Sequence, residues 1–221
     1  PQQEKGAPGM SGRFAAVIGV LLAAAFGSQA SAAESVYTTL DFDNGSCLSS
    51  DATPTAEDEE MGVVALVCPG YGNYPVQFQS NDERQSVHYG DPGTATGNVA
   101  FETFAPFNSI VDTVEWRLDH GLPFAAIQRF MVSTGEDQPA PGTTDGPVKG
   151  EVLVVSKVGQ PVQAAGCVIG LVDALANAQA DAMARQVADT LATIFRCGED
   201  RPVYHGKRGD KAAEFEVHNA G

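Results

Sequence analysis

Positive charge is scarce in this sequence: 13 Lys and Arg stand against 28 Asp and Glu in 221 residues, a formal net charge of −15. A field of that sign repels phosphate backbones and anionic lipid, so nucleic acid is excluded as a partner, and a basic envelope protein or cations are favoured. Histidine is sparse as well, with His88, His120, His205 and His218 spaced too far apart to form a local zinc site, and no two cysteines have metal-ligand spacing. No metal and no cofactor is therefore expected. The G-x-S-x-G elbow of serine hydrolases is missing, and Ser86 two residues before His88 is a chance-level pairing. No apolar run reaches the roughly 20 residues needed to cross a bilayer, and no fixed repeat recurs.

The longest apolar run, Phe14 to Phe26, is preceded by Arg13 and followed by Ala30-Ser31-Ala32. A positive start, a short apolar centre and a small-residue site are the three parts of a secretory signal peptide, which predicts export with cleavage near Ala32. Residues 1–32 are then upstream sequence and leader, and the protein is periplasmic or secreted. Four cysteines, Cys47, Cys68, Cys167 and Cys197, follow the leader. An even count behind an export signal predicts two disulfides. Four cysteines allow three pairings, and geometry favours Cys47 with Cys68 around an acidic loop. Cys167 then pairs with Cys197, if the last turn of a C-terminal helix folds back over the strand that begins at Cys167.

Strand character runs through "VYTTL", "MGVVALVC", "YPVQFQ", "RQSVHYG", "VEWRLD", "FAAIQRFMVS", "EVLVVSKV" and "GCVIGLVDA". In "VEWRLD", Val114, Trp116 and Leu118 alternate inward against Glu115, Arg117 and Asp119 outward. A single amphipathic helix is predicted from an Asn177 N-cap through "AQADAMARQVADTLATIFRC", with Met183, Val187, Leu191 and Ile194 facing the sheet and Arg185, Gln186 and Asp189 facing water. The expected fold is α+β, a mainly antiparallel sheet of about seven strands packed by one C-terminal helix. One domain spans 33–197, and 198–221 is a partly disordered tail.

Two places hold candidate binding residues. In "VCPGYGNYPV" the turn explains Pro69, Gly70 and Gly72 but not Tyr71 and Tyr74, which pack structurally or form a recognition edge. Arg84, Glu115 and Arg117 would share outward strand faces if their strands are neighbours, either as cross-strand charge pairs or as an anion- or peptide-binding patch. The tail also carries Arg208-Gly209-Asp210, a three-residue adhesion motif of low specificity.

The order of "LDFDNGSC", "VCPGYGNYPV", "VHYGDP", "VEWRLD…PFAAI", "VLVVSKVG" and "CVIGLVDALAN" over about residues 36–197 resembles a family of small exported bacterial proteins of uncharacterised function. The resemblance implies a periplasmic setting and supplies no catalytic residue. The leading expectation is a non-enzymatic periplasmic binding or inhibitor-like module. The alternatives are a small envelope hydrolase with a spatially assembled site and a purely structural envelope protein.

Overall fold

The computed structural model of the chain describes residues 33–50, 63–92, 100–135, 149–161 and 165–218, with Pro1 and Gly6 besides. The chain divides into two units, Pro1–Ala30 and Ser31–Gly221, and the second carries every described strand and helix. The expected leader, the acidic loop at 51–62 and most of the Gly/Pro-rich loop before Lys149 lie outside the described residues.

In chain order the strands are β1 (Glu34–Thr39), β2 (Leu48–Ser49), β3 (Val64–Tyr71), β4 (Tyr74–Asn81), β5 (Arg84–Tyr89) and β6 (Phe101–Phe104). They continue with β7 (Asn108–Asp119), β8 (Leu122–Ser133), β9 (Lys149–Lys157) and β10 (Val168–Asp173). The helix α1 (Ala180–Leu191) follows, then β11 (Tyr204–His205) and β12 (Phe215–His218). Among the described residues three sheets form: six strands in the order β1-β7-β8-β9-β10-β11, four in the order β2-β3-β4-β5, and the pair β12-β6. All these pairings are antiparallel except β10 with β11. The fold is therefore α+β, rich in antiparallel strands, with one helix near the C-terminus. Its strands are divided among three sheets and do not form one.

The six-stranded sheet is covered on both faces. Val114, Trp116, Leu118, Ala126, Phe130, Val152 and Val154 pack against Cys68, Val76, Phe78, Val87 and Tyr89 of the four-stranded sheet. The alternate residues Ala125, Ile127, Leu153, Val155, Ile169 and Val172 pack against α1. Burial on both sides is why "EVLVVSK" and "FAAIQRF" read as continuous apolar runs. The two sheets are stitched where Gly90 meets Gly159. Asp91 N donates to Gly159 O at 3.0 Å and Gly159 N to Tyr89 O at 2.8 Å, and a Cβ on Gly90 would stand 2.2 Å from the Gly159 carbonyl.

The helix corrects two expectations. It is capped at Gln179 without a side-chain bond, and Asn177 instead binds backward and forward, donating to Asp173 O at 2.9 Å and to Lys207 O at 2.8 Å. Its buried face is made of Ala180, Ala184, Val187 and Ala188, small residues that bring the backbone close to the sheet. Ile194 lies beyond the last turn and is 68% exposed.

The tail is corrected too. Residues 198–218 show no sequence period, yet β11 extends the main sheet beside β10 and β12 pairs with β6. The Asp173 carboxylate accepts Gly209 N at 2.8 Å, and Arg208 stacks over Tyr204 and pairs with Glu214 at 2.7 Å. The arginine of the adhesion-like triplet is thus engaged within the fold. Both disulfides, Cys47–Cys68 and Cys167–Cys197, are those geometry favoured, and each stabilises by roughly 2–4 kcal/mol through the unfolded chain.

Close packing of α1 sets a testable limit. Ala184 is 0% exposed, so Ala184→Leu should overfill the helix–sheet interface and lower stability by about 1–3 kcal/mol, read as a lowered urea midpoint with an unchanged slope.

Candidate functional site

Glu115 and Arg117 are brought together but not into solvent. They are 8% and 6% exposed, because the face of β7 expected to be outward lies at the edge of the helix layer. Arg117 Nε and Nη2 donate to Asp189 at 2.8 and 2.7 Å, and Nη1 donates to Ser35 Oγ at 2.6 Å. Ser35 Oγ in turn donates to Glu115. Arg185 donates to both Glu115 oxygens, at 2.6 and 3.2 Å, and to Tyr37 at 3.1 Å. Charges thus alternate along Asp189, Arg117, Ser35, Glu115 and Arg185, with Arg185 and Asp189 one helical turn apart on α1. Burial pushes the Glu115 carboxyl up, but the bonds from Arg185 and Ser35 and the guanidinium charge outweigh it and hold it below its ordinary value. All three guanidinium nitrogens of Arg117 are engaged within the fold. The arrangement ties α1 to β7 and β1.

Tyr71 and Tyr74 face each other across the Gly72-Asn73 turn between β3 and β4, and both are half-buried. The Tyr71 ring lies 6.3 Å from Trp116, and Tyr74 OH donates to Gln160 Oε1 at 3.0 Å. Both tyrosines face partners inside the fold.

Arg84 sits elsewhere, paired with Asp82 at 2.9 Å, and its surroundings form a groove. Two open hollows of about 390 and 380 Å³ adjoin, sharing Phe107 and Ser133. Glu83, Gln85, Asn108, Met131 and Lys149 line the first, while Asp82 and Arg84 line the second. Phe107 is 51% exposed. The turn between the hollows is unusual. Asp82 and Glu83 join β4 to β5 with φ of 49° and 55°, a geometry that normally takes Asn-Gly. A glutamate there stores about 1 kcal/mol of backbone strain. Sequence reasoning finds Arg84 and misses Phe107. "FAPFN" carries no period, and only the turn chemistry of "SNDER" signals a bend.

A second polar cluster lies on the outer face of β5. Ser86 and His88 point to one side and meet Glu102 of β6, with all three nearly fully buried. Ser86 Oγ accepts Glu102 N at 3.0 Å, Glu102 Oε2 accepts Val168 N at 2.8 Å, and His88 Nε2 donates to Ala100 O at 2.6 Å. The carbonyl of Gly166 lies near the ring without a well-formed bond, so Nδ1 has no partner among the described residues. Burial pushes Glu102 up to about 8 despite the Val168 amide and pushes His88 down against the pull of the Ala100 and Gly166 carbonyls. Because His88 gives its proton to a carbonyl and Ser86 takes a backbone amide, no nucleophile is activated here.

Among the described residues no cluster of His, Cys, Asp and Glu could hold a metal ion, and no helix is long and apolar enough to cross a membrane. Comparison with known protein families, characterised proteins and solved structures gives no match.

The alternating charge chain should behave as a unit. Arg117 is 7% and Asp189 36% exposed in side chain, so Arg117→Ala, which removes a buried side chain and its three bonds, should cost about 2–3 kcal/mol, and Asp189→Ala about 1 kcal/mol. The double variant should lose less than the sum in urea unfolding; strict additivity would show that the fork carries no energy.

Proposed function

We propose that this chain is an exported, non-enzymatic binding or inhibitor-like module of the periplasm, and that its ligand seat is the groove around Phe107. One observation carries the reading: two open hollows meet at a half-exposed aromatic ring, beside a turn held in a conformation that Glu83 disfavours. Strain kept at a surface turn is a pointer to use, because a relaxed residue at that place would be more stable. The groove is open, with polar and apolar walls, the shape that suits an extended polypeptide segment more than an enclosed small molecule.

Charge selects the occupant. The net charge of −15 draws basic partners, and Glu83 at the turn meets a partner's cation, Asp82 staying paired with Arg84, while Phe107 and Met131 take an apolar side chain. The competing reading, a hydrolase built on Ser86, His88 and Glu102, is disfavoured by geometry: Ser86 is 0% and His88 3% exposed, and the two are bonded to backbone groups and not to each other. Two disulfides fit an oxidising compartment.

The test uses immobilised octapeptides of graded charge. Basic peptides with one aliphatic or aromatic residue should be retained, with affinity falling as salt screens the field. Phe107→Ala should weaken retention tenfold or more with an unchanged unfolding midpoint. Equal retention by this variant, or a preference for acidic peptides, rejects the groove. Glu83→Gly relieves the strained turn and should raise stability by about 0.5–1 kcal/mol while weakening peptide retention.

A further inference from the structure

His88 on β5 and Glu102 on β6 have side chains 3% and 4% exposed and stand 3.8 Å apart. Two such groups hold one proton between them, either as neutral acid and neutral ring or as carboxylate and imidazolium, and the pair is uncharged both ways. A second proton, or the loss of the shared one, leaves a net charge in a dry site.

Over Glu102 lies the C-terminal strap, residues 198–218. Glu102 forms one wall of a small, partly open cavity of about 80 Å³, and the strap supplies the other through Gly198–Pro202 and Val217. Val217 stands opposite Glu102 in the β12–β6 ladder. Ahead of the start of β11, the Glu102 carboxyl takes the place of a strand by accepting the Val168 amide. The charged groups facing the pair are few. Glu199 and Asp200 line the cavity but are paired with Arg196, and Arg201 lines it as well. Glu216 and His218 of β12 pair with each other on the exposed side. From β9, Lys157 Nζ donates to Phe195 O. Among the described residues none of these forms an ion pair with Glu102.

We propose that the His88–Glu102 pair is a protonation latch on the strap: residues 198–218 stay docked on β6 and β10 while the pair holds its single proton, and loosen when that proton is lost. The Cys167–Cys197 disulfide fixes the root of the strap, so opening stops short of α1.

The sign comes from proton counting. With the strap open both groups are wet, and carboxyl and imidazole titrate near their ordinary 4.5 and 6.5. Between those values the open and docked states each hold one proton, so opening is indifferent to pH. Above 6.5 the open state releases its proton, whereas the docked pair keeps it until about 8. The opening constant therefore rises about tenfold per pH unit over that interval and levels off above it.

Amide hydrogen exchange of the full chain from pH 6 to 9, corrected for the intrinsic rate, reads this directly. Phe215–His218 and Val168 should lose protection about tenfold per pH unit between 6.5 and 8, while β8 and β9 hold theirs. Glu102→Gln, which still accepts the Val168 amide but cannot ionise, should make the profile flat. A flat wild-type profile, a loss shared by every strand, or an unchanged slope in the variant overturns the latch. The comparison of strands within the wild type decides the matter even if the variant does not fold.

Discussion

Strands β7 to β10 lie between two cores, so each residue along them needs either an apolar neighbour or a charged partner on whichever side it faces. Apolar alternation meets that need on β8 to β10, where Val152 and Val154 serve one core and Leu153 and Val155 the other. On β7 the helix layer is running out, and Glu115 and Arg117 occupy its margin. The helix answers with Asp189 and Arg185 in the complementary order, and Ser35 of the edge strand links the two pairs. Alanines on α1 and charges on its flank are thus one solution to one problem. Close approach requires small residues at the centre, and the same approach puts the polar flank within reach of β7.

The fold class, the run of strands and the helix can be read from the sequence because each rests on local spacing, and the disulfide pairs because the helix folds back over the strand that begins at Cys167. What the sequence hides is which side of a strand is outside. Alternation in "VEWRLD" separates two faces but does not say that both are covered, so Arg117 reads as solvated when it is buried. The stripe Met183, Val187, Leu191 and Ile194 has a sound period. It misplaces Ile194 because the helix ends at Leu191, three residues earlier. The segment after Gly198 shows no period because its two strands are short and held by side chains, through Asp173, Asn177 and Tyr204.

The candidate site is legible in part. Arg84 belongs to the groove, while Glu115 and Arg117 belong to the charge chain, and Tyr71 and Tyr74 to the inner packing. Phe107 gives no signal because one aromatic residue between a proline and an asparagine looks like any loop residue. The buried trio of Ser86, His88 and Glu102 depends on a contact between β5 and β6 made through side chains, with Glu102 N bound to Ser86 Oγ and Thr103 Oγ1 bound to Gln85 O. Side-chain stitching of this kind leaves no periodic trace.

The edge strand β1 has a further bearing on how the molecule comes into being. Its ladder partner is β7, and Ser35 and Glu115 are 80 positions apart in the chain. A polypeptide made from its amino end must therefore hold "ESVYTT" without a mate until the middle of the protein has emerged. That waiting piece is short and mostly polar, with an acidic first residue, which suits it to stay in water and to resist joining a stranger's sheet. Hairpins from β7 onward can close between near neighbours, whereas the β1 seam must be made across a long stretch of chain.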